Sequence, residues 1–277
     1  MNLCCFGFGY TASYIVSLIT SKYKNCNIIA TKREIFSDFK GVKLIEFDKL
    51  QNLPENTTHI LITIPPINGK DIVFEKYASQ LSSMPNIKWI GYLSATNVYG
   101  DHQGKWIDET ADLMPSNDRA KARLNAENKW LELFNNYNVP VVIFRLAGIY
   151  GKNRNQIERL QSGEVLPVIE AKGKYFSRIH VEDIAEMILK SIEKPTPGEI
   201  FNLADDLPSE SADVIKHAYN LLNIESPKAT KLKFANLSQM AKEFYMDNKR
   251  ISNNKIKKVL GVKLKYPSYI EGLNSFL

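Results

Sequence analysis

Short apolar runs alternate with amphipathic stretches over the first two hundred residues of this 277-residue chain. NLCCFGF predicts a buried strand, and from about Tyr10 the residues Ala12, Ile15, Val16, Ile19 and Tyr23 recur at helical spacing. NIIAT, VKLIEFD and HILITIPP predict three further strands, the last stopped by Pro65 and Pro66. A helix around Asp71 to Ser82 leads into KWIGYLSA, the fifth strand. From Asn117 to Phe134, the residues Ala120, Leu124, Glu127, Leu131 and Phe134 share one side of a helix, and VPVVIFRLA predicts a sixth strand. Strands that read as continuous apolar runs between helices imply a parallel sheet covered on both faces, a doubly wound α/β architecture.

The pattern is less regular after Gly151. RIHVEDIAEMILKSIEK reads as a strand end turning into a helix, with Glu182 and Asp183 suited to the positive end of the helix dipole. GEIFNLAD predicts another strand, and helices are expected near Ser211 to Leu222 and Asn236 to Phe244. The expected division is a nucleotide-binding domain over residues 1–207 and a small C-terminal lobe over 208–277, with parts of 151–180 joining the lobe.

Composition narrows the class. A 44% hydrophobic chain of this length can bury a substantial core. Cys4, Cys5 and Cys26 lie in or beside apolar runs and form no disulfide framework, as expected of reduced core thiols in a cytoplasmic protein. MNLCCFGFG leaves no room for a secretory leader, and no run approaches the ~20 apolar residues that span a bilayer. The expectation is a soluble protein, monomer or homodimer, with no membrane partner. The net charge of +6 is uneven: Lys228 to Lys265 carries +9, leaving about −3 elsewhere. That segment suits a phosphorylated or acidic ligand, a nucleic acid, or a solvated lysine-rich face. Without arginines interleaved with aromatics it does not resemble a single-strand channel, so a nucleic-acid partner is not expected. The four histidines, His59, His102, His180 and His217, show no metal-ligand spacing, and no metal is expected.

The strongest chemical signal is GFGYTA, Gly7 to Ala12. Gly7 allows a tight turn, Gly9 allows close approach of a pyrophosphate, and small Ala12 allows helix and strand to pack. The turn sits between a buried strand and a helix, so a Rossmann-type dinucleotide site is expected at Gly7, Phe8, Gly9, Tyr10, Thr11 and Ala12. The second strand ends in ATKRE, with Thr31, Lys32 and Arg33 where an acid would hold the ribose hydroxyls of NAD. A hydroxyl and two cations suit a 2′-phosphate and favour NADP over NAD, the alternative being a solvated turn with Glu34 serving NAD. Asp48 is placed to reach the adenine or to cap its own loop, and Thr63, Pro65 and Ser94 lie at strand ends on the cofactor side.

Several motifs together resemble the extended and atypical branch of the short-chain dehydrogenase/reductase superfamily, the NAD-dependent epimerase/dehydratase group. They are GFGYTA, YLSATNVYG, RLNAE, FRLAGIYG, RIHVEDIA and GEIFNLADD, in the family's order over residues 1 to about 207. The tail RISNNKIKKVLGVKLKYPSYIEGL also resembles a smaller atypical subgroup. The resemblance implies a nicotinamide cofactor and a lobe holding a nucleotide sugar or other small substrate. It also implies a Ser or Thr that orients the substrate, a Tyr acid/base, and a Lys four residues later. Here those positions hold Ala95, Arg119 and Arg123.

Arg119 cannot shuttle a proton as a phenol does, because a guanidinium stays charged at any ordinary pH. Arg123 can still donate to ribose hydroxyls. Ser94 or Thr96 could replace the missing hydroxyl, and Tyr99 is the nearest alternative phenol. The plainer reading of the pair is a solvated helix face in which Arg123 and Glu127 form an i,i+4 pair. Arg178 and His180 in SRIHVED fall where relatives often contact substrate, or His180 is a core histidine. DHQGKWIDE is expected to cover the cofactor mouth, with Trp106 as an apolar wall. The reading is an NADP-binding epimerase-, dehydratase- or reductase-like protein with an altered active site, acting on a small polar, nucleotide-sugar or phosphorylated substrate. The alternative is a cofactor-binding sensor or assembly protein without hydride chemistry.

Overall fold

In the computed structural model, which describes residues 1–237, 242 and 245–277, seven parallel strands form the central sheet. They are β1 (Asn2–Phe6), β2 (Asn27–Lys32), β3 (Val42–Glu46), β4 (His59–Ile62), β5 (Trp89–Ala95), β7 (Val141–Leu146) and β11 (Ile200–Leu203). Their spatial order is β3-β2-β1-β4-β5-β7-β11. The chain therefore winds outward in both directions from β1 and β4, and the reversal leaves a crevice at the carboxyl ends of these two strands. All seven were expected from their apolar runs.

Strand alternation divides the interior in two. Leu3 and Cys5 on β1, Trp89 and Leu93 on β5, and Val142 and Phe144 on β7 join one apolar cluster. The residues between them, Cys4, Phe6, Ile90, Tyr92, Val141 and Ile143, join another. The first cluster is covered by α1 (Tyr10–Lys22) through Ile15, Val16 and Ile19 and by α5 (Val181–Glu193) through Ile184 and Ile188. The second is covered by α2 (Ile72–Leu81) through Val73, Tyr77 and Leu81 and by α3 (Asp118–Tyr137) through Ala126, Trp130 and Leu133. Asp71 ties the second pair together: its Oδ1 caps α2 at the Val73 and Phe74 N–H groups, both 3.0 Å, and its Oδ2 accepts the Trp130 indole at 2.8 Å. Burial raises the Cys4 thiol to about 12 and the Cys5 thiol higher, so both behave as small hydrophobes.

A third cluster joins α4 (Gln156–Gln161) and α6 (Ser211–Leu221) to the helix Tyr269–Asn274, through Ile157, Leu160, Val214, Tyr219 and Leu273. The helix Asn254–Leu260 packs elsewhere, with Ile256 and Leu260 in the first cluster beside α5. Three two-stranded ladders complete the structure: β8 (Gly148–Tyr150) with β10 (Arg178–His180), β9 (Ile169–Glu170) with β12 (Thr230–Lys231), and β6 (Trp106–Ile107) with β13 (Arg250–Ile251). The helix expected over Asn236 to Phe244 falls largely outside the described residues. No described helix is long and apolar enough to cross a membrane.

Candidate functional site

β1 opens onto α1 through Gly7 and Gly9. Gly7 adopts φ +91°, and a Cβ there would lie 2.7 Å from both Ile64 Cγ1 and Thr63 Oγ1, so no other residue fits. Gly9 precedes α1 with no side chain capping the helix and no acid in its first turn. A Cβ on Gly9 would meet nothing within 4 Å, so the mouth of the turn is open space. The unpaired N–H groups of the first turn, beginning at Tyr10 and Thr11, are thus offered to an anion, which fits a dinucleotide pyrophosphate. Ala12 is buried where helix meets sheet.

The residues around the turn differ in what they offer a cofactor. Thr31 is fully buried: its hydroxyl accepts the Gly7 N–H at 3.1 Å and its carbonyl accepts the Phe8 N–H at 2.8 Å. Thr63 donates to the carbonyls of Phe6 (3.2 Å) and Gly7. Both hydroxyls brace the turn from inside, which corrects the expectation that Thr31 meets the ribose side. Lys32 is half-buried and Arg33 exposed just past β2, leaving two cations where three polar groups were expected. Asp48, in a single turn after β3, and Pro65, past β4, are exposed. Phe8 is buried edge-on against Phe39, centroids 4.9 Å apart. The Tyr10 hydroxyl donates to the Lys152 carbonyl at 2.9 Å, which pins the loop after β8 over the start of α1.

A second concavity of about 410 Å³ lies at the carboxyl ends of β5 and β7. Its walls are Ala95, Thr96 and Asn97 at the end of β5, Asn117, Arg119 and Arg123 of α3 and its cap, Leu146 to Gly148, Tyr175 to Ser177, and Asp247, Lys249 and Ile251. Ala95, Arg119 and Arg123 thus share one cavity, with Thr96 beside them. Arg123 Nη1 donates to the Leu93 carbonyl at 3.1 Å. The plainer alternative, an Arg123–Glu127 pair, does not form: Glu127 is 1% exposed and binds Arg145 of β7 at 2.7 Å, because position 127 faces the sheet. Ser94, also buried, donates to Glu127 Oε1 and so turns its hydroxyl away from the cleft.

Three further expectations, for Tyr99, Arg178 and Trp106, are corrected, and His180 takes the core-histidine alternative. Tyr99 is fully buried, its hydroxyl donates to Asn202 Oδ1 at 2.8 Å, and burial pushes its pKa up, so it is not an available phenol of the cavity. His180 is 1% exposed, packs against Tyr266 with centroids 3.9 Å apart, and accepts the Glu182 N–H on Nδ1 at 3.2 Å as the cap of α5. Burial lowers its pKa to about 4. Arg178 donates to the Phe176 carbonyl at 2.9 Å and does not line the cavity. Trp106 does not wall the cofactor mouth either: β6 pairs with β13, and the Arg250 guanidinium lies 5.6 Å from its ring centre.

The NAD dependent epimerase/dehydratase family model matches residues 78–204, which include β5, α3, β7 and every wall of this cavity except Asp247, Lys249 and Ile251. A solved structure of a functionally unknown conserved protein from Silicibacter pomeroyi DSS is 37% identical, covers 99% of this chain and 97% of its own, and superposes with a TM-score of 0.91. The chain carries the NAD-dependent epimerase/dehydratase family domain over residues 78–204. A dTDP-glucose 4,6-dehydratase from Bacillus anthracis str. Ames, solved in complex with NAD, shares the fold at 18% identity, with 99% and 94% of the two chains covered and a TM-score of 0.79. Protein YeeZ of Escherichia coli K12 is 28% identical over 180 residues, 64% of this chain and 58% of YeeZ. The human dTDP-D-glucose 4,6-dehydratase is 25% identical over 138 residues, 47% of this chain and 39% of that enzyme. The matches therefore span well under two thirds of these curated relatives.

Within this family's fold the cavity has a wall that the motifs did not reveal. Asp247 and Lys249 come from the segment entering β13, far in sequence from the motif-bearing strands. Lys249 Nζ donates to the Gly100 carbonyl at 2.8 Å and to Asp247 Oδ2 at 3.1 Å. Asn248 holds the same segment to the loop after β5 by donating from its backbone to Asp101 Oδ1 at 2.8 Å. Tyr175 and Asn117 were missed as well. A signal existed in the excess positive charge of residues 228–265, but nothing in it singled out position 249.

Proposed function

We propose that this chain is an NADP-binding oxidoreductase or epimerase-type member of its family, acting on a small polar, phosphorylated or nucleotide-sugar substrate through an altered reaction site. The observation that carries this reading is the shared cavity of Ala95, Arg119 and Arg123. The positions of the usual hydroxyl, phenol and amine surround a space large enough for a small substrate, and the glycine turn adjoins the same sheet edge. The nicotinamide group, when bound, supplies hydride chemistry there.

This chain's residues do the rest. The turn at Gly7 and Gly9 with the first turn of α1 would hold the pyrophosphate, and Lys32 and Arg33 would hold a 2′-phosphate. Arg123, fixed by its bond to Leu93, would donate to ribose hydroxyls with its remaining N–H groups. Thr96 offers a hydroxyl to a substrate oxygen. Arg119 and Arg123 together make this part of the wall cationic, as a phosphorylated or carboxylated substrate requires.

Fluorescence titration with NADPH and NADH, followed by absorbance at the nicotinamide band with keto and hydroxy sugars and their nucleotide derivatives, tests the reading. Tighter binding of NADPH with turnover of one such compound is the expected result. Absence of binding by either dinucleotide rejects it.

A further inference from the structure

The phenol position of the cavity holds an arginine, yet the segment entering β13 brings a largely covered amine, Lys249, to the same cavity. We infer that Lys249 is the proton-bearing catalytic residue of this cavity and that Asp247 positions it. This rests on the cavity being the reaction site. Of the titratable groups lining it, the two arginines stay charged and cannot give up a proton, and Asp247 is an acceptor when ionised. Lys249 and Tyr175 remain. The face of the Tyr175 ring is covered by the Arg250 guanidinium, 4.8 Å from the ring centre.

Lys249 is held for such a task. Its side chain is 11% exposed, and two of its three protons are directed to the Gly100 carbonyl and to Asp247 Oδ2. The third remains for a ligand. Asp247 Oδ1 is buried, and among the described residues nothing donates to it. A substrate that carries a hydroxyl beside a carbonyl satisfies both: the hydroxyl donates to Asp247 Oδ1 while the carbonyl oxygen accepts from Lys249 Nζ. That arrangement belongs to hydroxy ketones and keto sugars.

The electrostatics agree. Burial lowers the Lys249 pKa, and Asp247 and Asp101 oppose that shift. In the reducing direction, the carbonyl carbon accepts a hydride from a reduced nicotinamide dinucleotide and the π pair moves to oxygen. The oxygen takes a proton from Nζ, giving the alcohol, and the neutral amine regains a proton from solvent. In the oxidising direction the neutral amine accepts the hydroxyl proton.

Labelling with trinitrobenzenesulfonate from about pH 6 to 10, read by peptide mass spectrometry, follows the amine without any substrate. Lys249 is expected to reach half-labelling at lower pH than the exposed Lys40 and Lys172, and at lower pH still in Asp247→Asn, which removes the charge that holds its proton. Half-labelling at the pH of the exposed lysines overturns the assignment. Lys249→Met should leave nicotinamide dinucleotide affinity unchanged and lower turnover by about 10²–10⁴. Retained turnover in Lys249→Met with that loss in Tyr175→Phe instead overturns it, as does loss of dinucleotide affinity in Lys249→Met. If the wild-type chain binds no dinucleotide, the reading of the site fails, and the labelling profile still decides the state of Lys249.

Discussion

Arg145 on β7 and Glu127 on α3 form an ion pair of 2.7 Å with side chains only 2% and 1% exposed. Glu127 also receives the Ser94 hydroxyl, and the Arg145 guanidinium lies 4.8 Å from the Tyr99 ring centre. One buried carboxylate thus joins β5, β7 and α3 directly beneath the cavity. Removing one partner leaves the other charge buried without compensation. Glu127→Ala should therefore destabilise the fold by about 3–5 kcal/mol in chemical denaturation, whereas the double change Glu127→Leu with Arg145→Met should recover much of that loss. A double variant no more stable than the single one would contradict this account.

The cations at the end of β2 should select the dinucleotide. Lys32→Ala with Arg33→Ala is expected to weaken NADPH binding about tenfold, less at high salt because Arg33 is exposed, and to leave NADH binding unchanged. Isothermal titration with both dinucleotides at two salt concentrations measures the difference. Equal losses for the two cofactors would remove the 2′-phosphate from the argument.

Arg123 should act on a part of the cofactor that NADH and NADPH share. Arg123→Ala is expected to weaken both by about tenfold, and Arg123→Lys by less. Fluorescence titration of the two variants checks this, and unchanged affinity would show that Arg123 serves only the Leu93 carbonyl.

Gly100 has φ +68°, and a Cβ there would come within 1.8 Å of the Met114 carbonyl oxygen. That obstacle is backbone and cannot rotate away. Gly100→Ala should cost roughly 2–4 kcal/mol in denaturant midpoint experiments. It should also move the carbonyl that holds Lys249, so the labelling midpoint of that lysine should shift with it. A variant as stable as the parent would be inconsistent with the turn.

His180 should stay neutral in the native state down to a pH of about 4, while in the unfolded chain it gains a proton near 6.5. A depressed folded value contributes stability that is whole above about 6.5 and is lost as pH falls toward 4. Asp183, raised to about 6 by burial, and Asp205, raised to about 8 by burial, act in the opposite sense, so the comparison must isolate the histidine. His180→Asn keeps an acceptor at the cap of α5 without the titrating ring. The stability of the wild type relative to this variant should shrink between about pH 6.5 and pH 4. A constant difference, or a ring resonance that titrates near 6.5, would refute it.

The sheet was legible because each strand is buried on both faces and so appears as a continuous apolar run; alternate residues then sort into the two cores without any further information. The glycine turn was legible because its backbone demands particular residues. The arginine pair of α3 was legible only through its spacing: Arg119 and Arg123 stand at one helical turn from each other and do face one cavity. Polar partners were not legible in the same way. Thr31, Ser94 and His180 carry the right chemistry for ligand contact at plausible positions, but the chain uses all three to satisfy buried N–H groups or a buried carboxylate. Which way a hydroxyl turns depends on neighbours that no local pattern encodes. Asp247 and Lys249 were hidden for a related reason, since their position depends on a two-residue ladder between segments about 140 residues apart.

That ladder makes the cavity sensitive to register. Trp106 opposes Arg250 and Ile107 opposes Ile251, and successive side chains on a strand point in opposite directions. A slip of one residue would carry Lys249 out of the cavity and bring the Arg250 side chain to its place, exchanging an amine that can release a proton for a guanidinium that cannot. An insertion or deletion of a single residue between Asp101 and Trp106 would therefore abolish the acid while leaving the sheet, the glycine turn and the dinucleotide crevice intact.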